Sequence, residues 1–100
     1  WLVAERPQGT LHVDSGAASR LKTGKASLLP VGIRHIQGTF ERGAIVQVVD
    51  AAGRALVKGL VSYSSAELVQ LCGRQSSEIA SILSYTYGDE AIHRDNMVLI

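Results

Sequence analysis

The sequence predicts one small domain, mostly β with short α-helices, arranged as a mixed barrel with helical decoration. Three observations carry this expectation. Short apolar stretches alternate or cluster between glycine- and aspartate-containing turns, which is strand patterning. Two stretches instead show helical spacing behind a capping signal. A chain of 100 residues also has surface for one core only, because scaling leaves about 5,500 Å² exposed out of roughly 15,500 Å² in the open chain.

The elements follow in order. Pro7 has no N–H to give to a helix or ladder, so residues 1–8 read as a linker entering the domain. Thr10-Leu11-His12-Val13 alternates and predicts a strand. Asp14 or Ser15 can cap a helix over about 16–22, with Ala17, Ala18 and Leu21 as its apolar side. Gly24 stands where a left-handed cap is wanted. Pro30 pushes Leu29 into extended backbone, and residues 31–36 read as a strand with Gly32 as a bulge. Gly38 ends that strand, and Glu41-Arg42-Gly43 makes a turn. Residues 45–49 are β-branched almost throughout and predict a central strand. Asp50-Ala51-Ala52-Gly53 turns the chain into a partner strand over 55–61. Its register places Arg54, Leu56 and Lys58 on one face and Ala55, Val57 and Gly59 on the other. Gly59 marks a bulge or a close backbone approach.

The period changes after Tyr63. Ser64-Ser65-Ala66-Glu67 has the capping-box spacing, Leu68, Val69, Leu71 and Cys72 follow at helical intervals, and Gly73 stops the helix. Ser76 or Ser77 is expected to open a second helix with Ile79, Ala80, Ile82 and Leu83 as its buried stripe. Residues 85–90 read as a loop and 97–100 as a closing strand.

Composition excludes several function classes. A net charge of +1 is too small to announce a nucleic-acid binder. The charge is uneven, with five bases against two acids in residues 1–40 and five against seven afterwards. No apolar stretch approaches the roughly 20 residues of a membrane span, and no membrane partner is expected. Cys72 stands alone, so no internal disulfide can form. A cytoplasmic location fits this usage. The neighbours of Cys72 predict a buried thiol rather than a nucleophile.

Few motifs carry chemistry. Thr23-Gly24-Lys25 matches only the end of a phosphate-binding loop. Ser19 stands where the loop needs glycine and Ala26 where it needs a hydroxyl, so it is rejected. Asp89, Glu90 and Asp95 flank His93 and Arg94. They read either as a magnesium or acid–base cluster, or as a polar loop in which Arg94 pairs with a carboxylate. His12, His35 and His93 lack metal-ligand spacing, and His12 and His35 fall at outward positions of strands. Arg20, Lys22 and Lys25 lie on and just past the first helix, pointing in different directions. With one Phe and one Trp, no aromatic platform for stacking bases is expected.

Asp14-Ser15-Gly16-Ala17, Gly24, and Leu28-Leu29-Pro30-Val31-Gly32-Ile33 together resemble the opening of a PUA domain. That is a small RNA-binding pseudobarrel of RNA-modifying enzymes. Gly38-Thr39-Phe40-Glu41-Arg42-Gly43, Tyr63-Ser64-Ser65 and the ending His93-Arg94-Asp95-Asn96-Met97-Val98-Leu99 narrow the resemblance. They are similar to the C-terminal PUA domain of the bacterial glutamate 5-kinase family.

The resemblance implies a PUA-like pseudobarrel over residues 9–100 and a linker over 1–8 that leaves a kinase domain. It implies a parent enzyme that phosphorylates L-glutamate with ATP and magnesium, under feedback by proline. ATP and magnesium would belong to the kinase domain, leaving this chain with no catalytic, cofactor or metal residue of its own. Its expected partners are the kinase domain of the same chain and further copies of the parent, with RNA as the alternative. The positions that match the RNA-contact surface of PUA domains are Gly16, Ala17, Arg20, Lys25, Leu29, Pro30 and Gly32.

Overall fold

The computed structural model describes residues 6–99. Residues 1–5, most of the linker expected over 1–8, lie outside the described residues, as does Ile100. One five-stranded mixed sheet organises the chain, in the order β2-β1-β3-β4-β5. The strands are β1 Gly9–Val13, β2 Ile33–Gln37, β3 Ile45–Val49, β4 Ala55–Leu60 and β5 Met97–Leu99. β1 pairs antiparallel with β2 and parallel with β3, and the remaining ladders are antiparallel. A single bridge between Leu28 and Ile92 ties the segment after the first helix to the approach to β5.

Three short helices decorate the sheet: α1 Ser15–Leu21, α2 Ser65–Leu71 and α3 Ile79–Leu83. The Asp14 carboxylate accepts the Ala17 N–H at 2.7 Å, which fixes the start of α1. Ala17, Ala18 and Leu21 face inward as the spacing predicted, and Gly24 takes a φ of +73° just past the helix. α2 begins on the expected capping box. The Ser64 N–H donates to Glu67 and the Glu67 N–H donates to the Ser64 hydroxyl. The core gathers Leu11, Val13, Leu21, Leu28, Ile33, Val46, Val48, Val57, Tyr63, Leu68, Leu71, Ile79 and Ile92, all essentially free of solvent. The accessible surface is 5511 Å², the value that scaling predicts for one folded core.

Several expectations are corrected. Residues 31–36 do not form one strand. Pro30–Gly32 makes a 3-10 turn, with the Gly32 N–H donating to the Leu29 carbonyl at 3.1 Å. Proline at the first position of this turn has its φ already set. Gly32 is a contact rather than a bulge, since a Cβ there would stand 2.7 Å from the Ala17 Cβ.

The irregularities lie elsewhere. His12 pairs with His35 but Val13 pairs with Ile33, so Arg34 bulges out of β2. Val48 pairs with Val57 but Val49 pairs with Ala55, so Leu56 is the extra residue in β4. That bulge breaks the expected alternation, and Leu56 and Val57 are both buried. Gly59 is the predicted close approach.

The second half differs in its caps and exposure. Gln75, not Ser76 or Ser77, caps the helical segment, in a capping box with Glu78. Of the expected stripe only Ile79 is buried. Ile82 and Leu83 are half-buried and Ala80 is exposed. Val69 is also exposed, and Cys72 is half-buried rather than buried.

Candidate functional site

The positions expected to form a contact surface divide into two roles. Ala17, Pro30 and Gly32 are buried and build the crossing between α1 and the 3-10 turn. The Pro30 carbonyl also accepts the Gly73 N–H at 2.9 Å, anchoring the end of α2. Gly16, Arg20, Lys25 and Leu29 are exposed around this crossing. They are held there by the loop after α1, where the Thr23 hydroxyl donates to the Arg20 carbonyl at 2.8 Å and accepts the Lys25 N–H at 3.2 Å.

Arg94 joins this surface, which sequence reasoning did not anticipate. Its backbone N–H donates to the Ser27 hydroxyl at 2.9 Å and its guanidinium to the Lys25 carbonyl at 3.5 Å. The expected pairing of Arg94 with a carboxylate is therefore replaced by a backbone contact. This places a second cation beside Lys25 on an exposed rim. Its chemistry suits anionic groups approaching from solvent, with small and apolar residues allowing close backbone approach.

The acidic segment near the C-terminus is a polar loop. The His93 imidazole accepts the Asp95 N–H at 3.1 Å, and the Asp89 carbonyl accepts the Ser76 hydroxyl at 2.8 Å. No three His, Cys, Asp or Glu residues converge as a metal site among the described residues.

Three tyrosines form an aromatic cluster that sequence reasoning did not anticipate. The rings of Tyr63 and Tyr87 lie 5.4 Å apart, and those of Tyr85 and Tyr87 5.2 Å apart. The Arg42 guanidinium sits 3.7 Å above the Tyr87 ring. Tyr63 is fully buried, and its hydroxyl holds the 86–88 loop. It donates to the Gly88 carbonyl at 2.6 Å and accepts the Tyr87 N–H at 2.8 Å.

The Tyr85 hydroxyl donates to Glu67. That bond, with burial, pushes the Tyr85 phenol up to about 12. Partial burial pushes the Glu67 carboxyl up. Donors from Tyr85 and Ser64 and the nearby Arg42 charge outweigh it and hold the group below its usual range. The cluster is thus internally satisfied, so its polar atoms are committed to fixing the loop.

His12 and His35, outward as expected, are brought side by side across the β1–β2 ladder, with ring centroids 5.4 Å apart and the planes tilted by 49°. No helix among the described residues is long and apolar enough to cross a membrane.

The PUA domain model matches residues 9–83. The chain is 45% identical over 100 residues to a glutamate 5-kinase of Deinococcus radiodurans, covering all of this chain and 28% of that protein. It is 48% identical over 99 residues to a glutamate 5-kinase of Roseobacter denitrificans, covering 99% of this chain and 26% of that one. The chain thus spans about a quarter of the length of the curated relatives it matches, at their C-terminal end.

Among solved structures, a PUA domain from Aeropyrum pernix K1, in a tartrate complex, superposes with a TM-score of 0.64 at 23% identity. The match covers 86% of this chain and 41% of that one. The archaeal box H/ACA sRNP Nop10-Cbf5 complex gives a TM-score of 0.59 at 17% identity, over 63% of this chain and 20% of that chain. Both likenesses concern the fold. A family match over most of the length, the sheet with its short helices, and the glycine-lined crossing of α1 agree: the chain belongs to the PUA domain family.

Proposed function

We propose that this chain is the accessory, regulatory PUA domain of a cytoplasmic glutamate 5-kinase. The parent enzyme would transfer the γ-phosphate of ATP to the side-chain carboxylate of L-glutamate, giving L-glutamyl 5-phosphate for proline synthesis. The identity of 45–48% to glutamate 5-kinases over essentially the whole chain carries this reading. ATP and magnesium are assigned to the rest of the parent, and this chain supplies no catalytic residue. Its partners are the kinase domain of the same chain and neighbouring copies of the parent.

The test compares the whole parent enzyme with a version ending just before Gly9. Retained glutamate-dependent ATP turnover with an altered response to proline, or altered assembly, is the expected result. Glutamate-dependent ATP turnover by the isolated 100-residue chain would overturn the assignment of a non-catalytic role. So would loss of all turnover from a truncated enzyme that remains folded and binds ATP.

The convergence of Lys25 and Arg94 at the end of α1 favours RNA as a second reading. Few phosphates could be neutralised there, so binding would be weak at physiological salt, with a salt slope in proportion to that small number. Titration with a structured RNA at two salt concentrations decides it. Absence of binding at low salt removes this reading and leaves the regulatory one standing.

A further inference from the structure

A recess where β1 and β2 meet the start of α1 is not used by either reading. It is lined by His12 and Val13 from β1, by Arg34 and His35 from β2, by Asp14 and Ser15 at the start of α1, and by Ala51 after β3. We propose that this recess binds a doubly charged tetrahedral oxyanion, a phosphate group, through Arg34, His12 and His35. The proposal stands independently of the kinase assignment.

The backbone explains why the three side chains meet. In a regular ladder Arg34 and His35 would point to opposite faces. The bulge at Arg34 removes that alternation. Ile33 stays buried, Ile36 half-buried, and Arg34 and His35 are both exposed. Direct pairing of His12 with His35 then brings a second imidazole alongside. The bulge therefore re-aims a cation toward a pair of imidazoles, an arrangement that core packing does not require.

The hydrogen bonding is consistent with donation into the recess. The His12 Nε2–H donates to the Gln37 side-chain oxygen at 2.9 Å, which orients that ring and leaves Nδ1 as its nitrogen for a ligand. No carboxylate among the described residues forms an ion pair with Arg34. Asp14 is the one acidic group in the lining, and its Oδ1 is engaged by the Ala17 N–H. On the β3 side the neighbours are apolar, Val49 beside His12 and Ala51 at the rim. An oxyanion here faces the Arg34 guanidinium, the His35 imidazole and, when its ring carries both protons, the His12 Nδ1–H, against the one Asp14 carboxylate, so charge-assisted hydrogen bonds are available. A divalent cation would face the guanidinium instead, which disfavours a metal at the same place.

The test uses the 100-residue chain and follows the imidazole and guanidinium NMR signals during titration with sulfate, whose charge does not change near neutrality. Saturable shifts at Arg34, His12 and His35 are expected, and tighter binding at about pH 6, where histidine side chains in general gain a proton, than at about pH 8. R34Q is expected to weaken binding by about tenfold or more, the loss of one charge-assisted bond. The H12Q/H35Q double variant is expected to lose the pH dependence, and K25Q to bind as the unsubstituted chain does.

Inorganic phosphate and a nucleoside monophosphate are titrated in parallel. Equal affinity assigns a free phosphate, and tighter nucleotide binding assigns a phosphate monoester. Both results carry the proposal. Unmoved signals at the three residues, undiminished binding by R34Q, or loss of binding in K25Q would overturn it. If R34Q fails to fold, the signals of the unsubstituted chain decide the matter alone.

Discussion

Gly59 shows how little room the sheet leaves where β4 meets the segment before β5. A methyl group there would lie 2.7 Å from the Ile92 Cγ2, 2.9 Å from the Asn96 carbonyl oxygen and 3.0 Å from the Met97 Cβ. Two of these atoms belong to backbone or to a Cβ, so they cannot swing aside. Gly59→Ala is expected to destabilise the fold by about 1–3 kcal/mol through overpacking, read as a shift in the urea midpoint. Tyr63 is a second residue with an outsized role. Its ring is in the core and its hydroxyl is the meeting point of the 86–88 loop. Tyr63→Phe keeps the ring and strands the Tyr87 N–H, at a cost of about 1–3 kcal/mol. Hydrogen exchange should quicken at residues 86–88 while the α1 amides stay protected, and uniform quickening would contradict this account.

Among the elements, α2 depends most on its cap. Ser64→Ala removes the acceptor for the Glu67 N–H and is expected to cost about 1 kcal/mol, measured by thermal unfolding. Glu67 also holds Tyr85, so cap and loop respond to pH together. The folded-state affinity of the Tyr85 phenol for its proton is raised to about 12, above its ordinary 10.0. The stabilisation from this bond is therefore complete below pH 10 and is lost as pH rises toward 12. Glu67 behaves in the opposite sense. Its proton affinity is lowered on folding, so its contribution is present above the ordinary carboxylate range and disappears on acidification. Tyr85→Phe is expected to flatten the alkaline limb of stability against pH, as followed by circular dichroism. An unchanged limb would show that the latch contributes nothing.

This is also the scale at which the sequence was most legible. The caps at Asp14 and Ser64 involve partners three residues apart, and the strand and helix periods are read within one window. The bulges at Arg34 and Leu56 were hidden, because a bulge exists only relative to the strand beside it. The candidate contact surface was half legible for the same reason. Gly16, Arg20 and Lys25 sit on neighbouring turns, whereas Arg94 reaches Lys25 across 69 positions of sequence. No local pattern announces that meeting. The tyrosine cluster joins α2 to a loop that follows α3, and it too is invisible to periodicity.

For the molecule as a whole, one sheet and one continuous core make stability a shared property. Leu11 is fully buried on β1, which lies between β2 and β3. Leu11→Ala is expected to cost about 2–5 kcal/mol, a large part of the roughly 5–15 kcal/mol available to a domain of this size. Denaturant unfolding should remain a single transition with a much lower midpoint, whereas separate transitions for the two halves would refute a shared core. The parallel pairing of β1 with β3 has a kinetic consequence. As the polypeptide leaves the ribosome, residues 9–13 can zip to the antiparallel neighbour on one side well before their other edge finds a mate. Until residue 49 has emerged, that edge is an open template for foreign strands, and slowing translation across this interval should raise the share that aggregates.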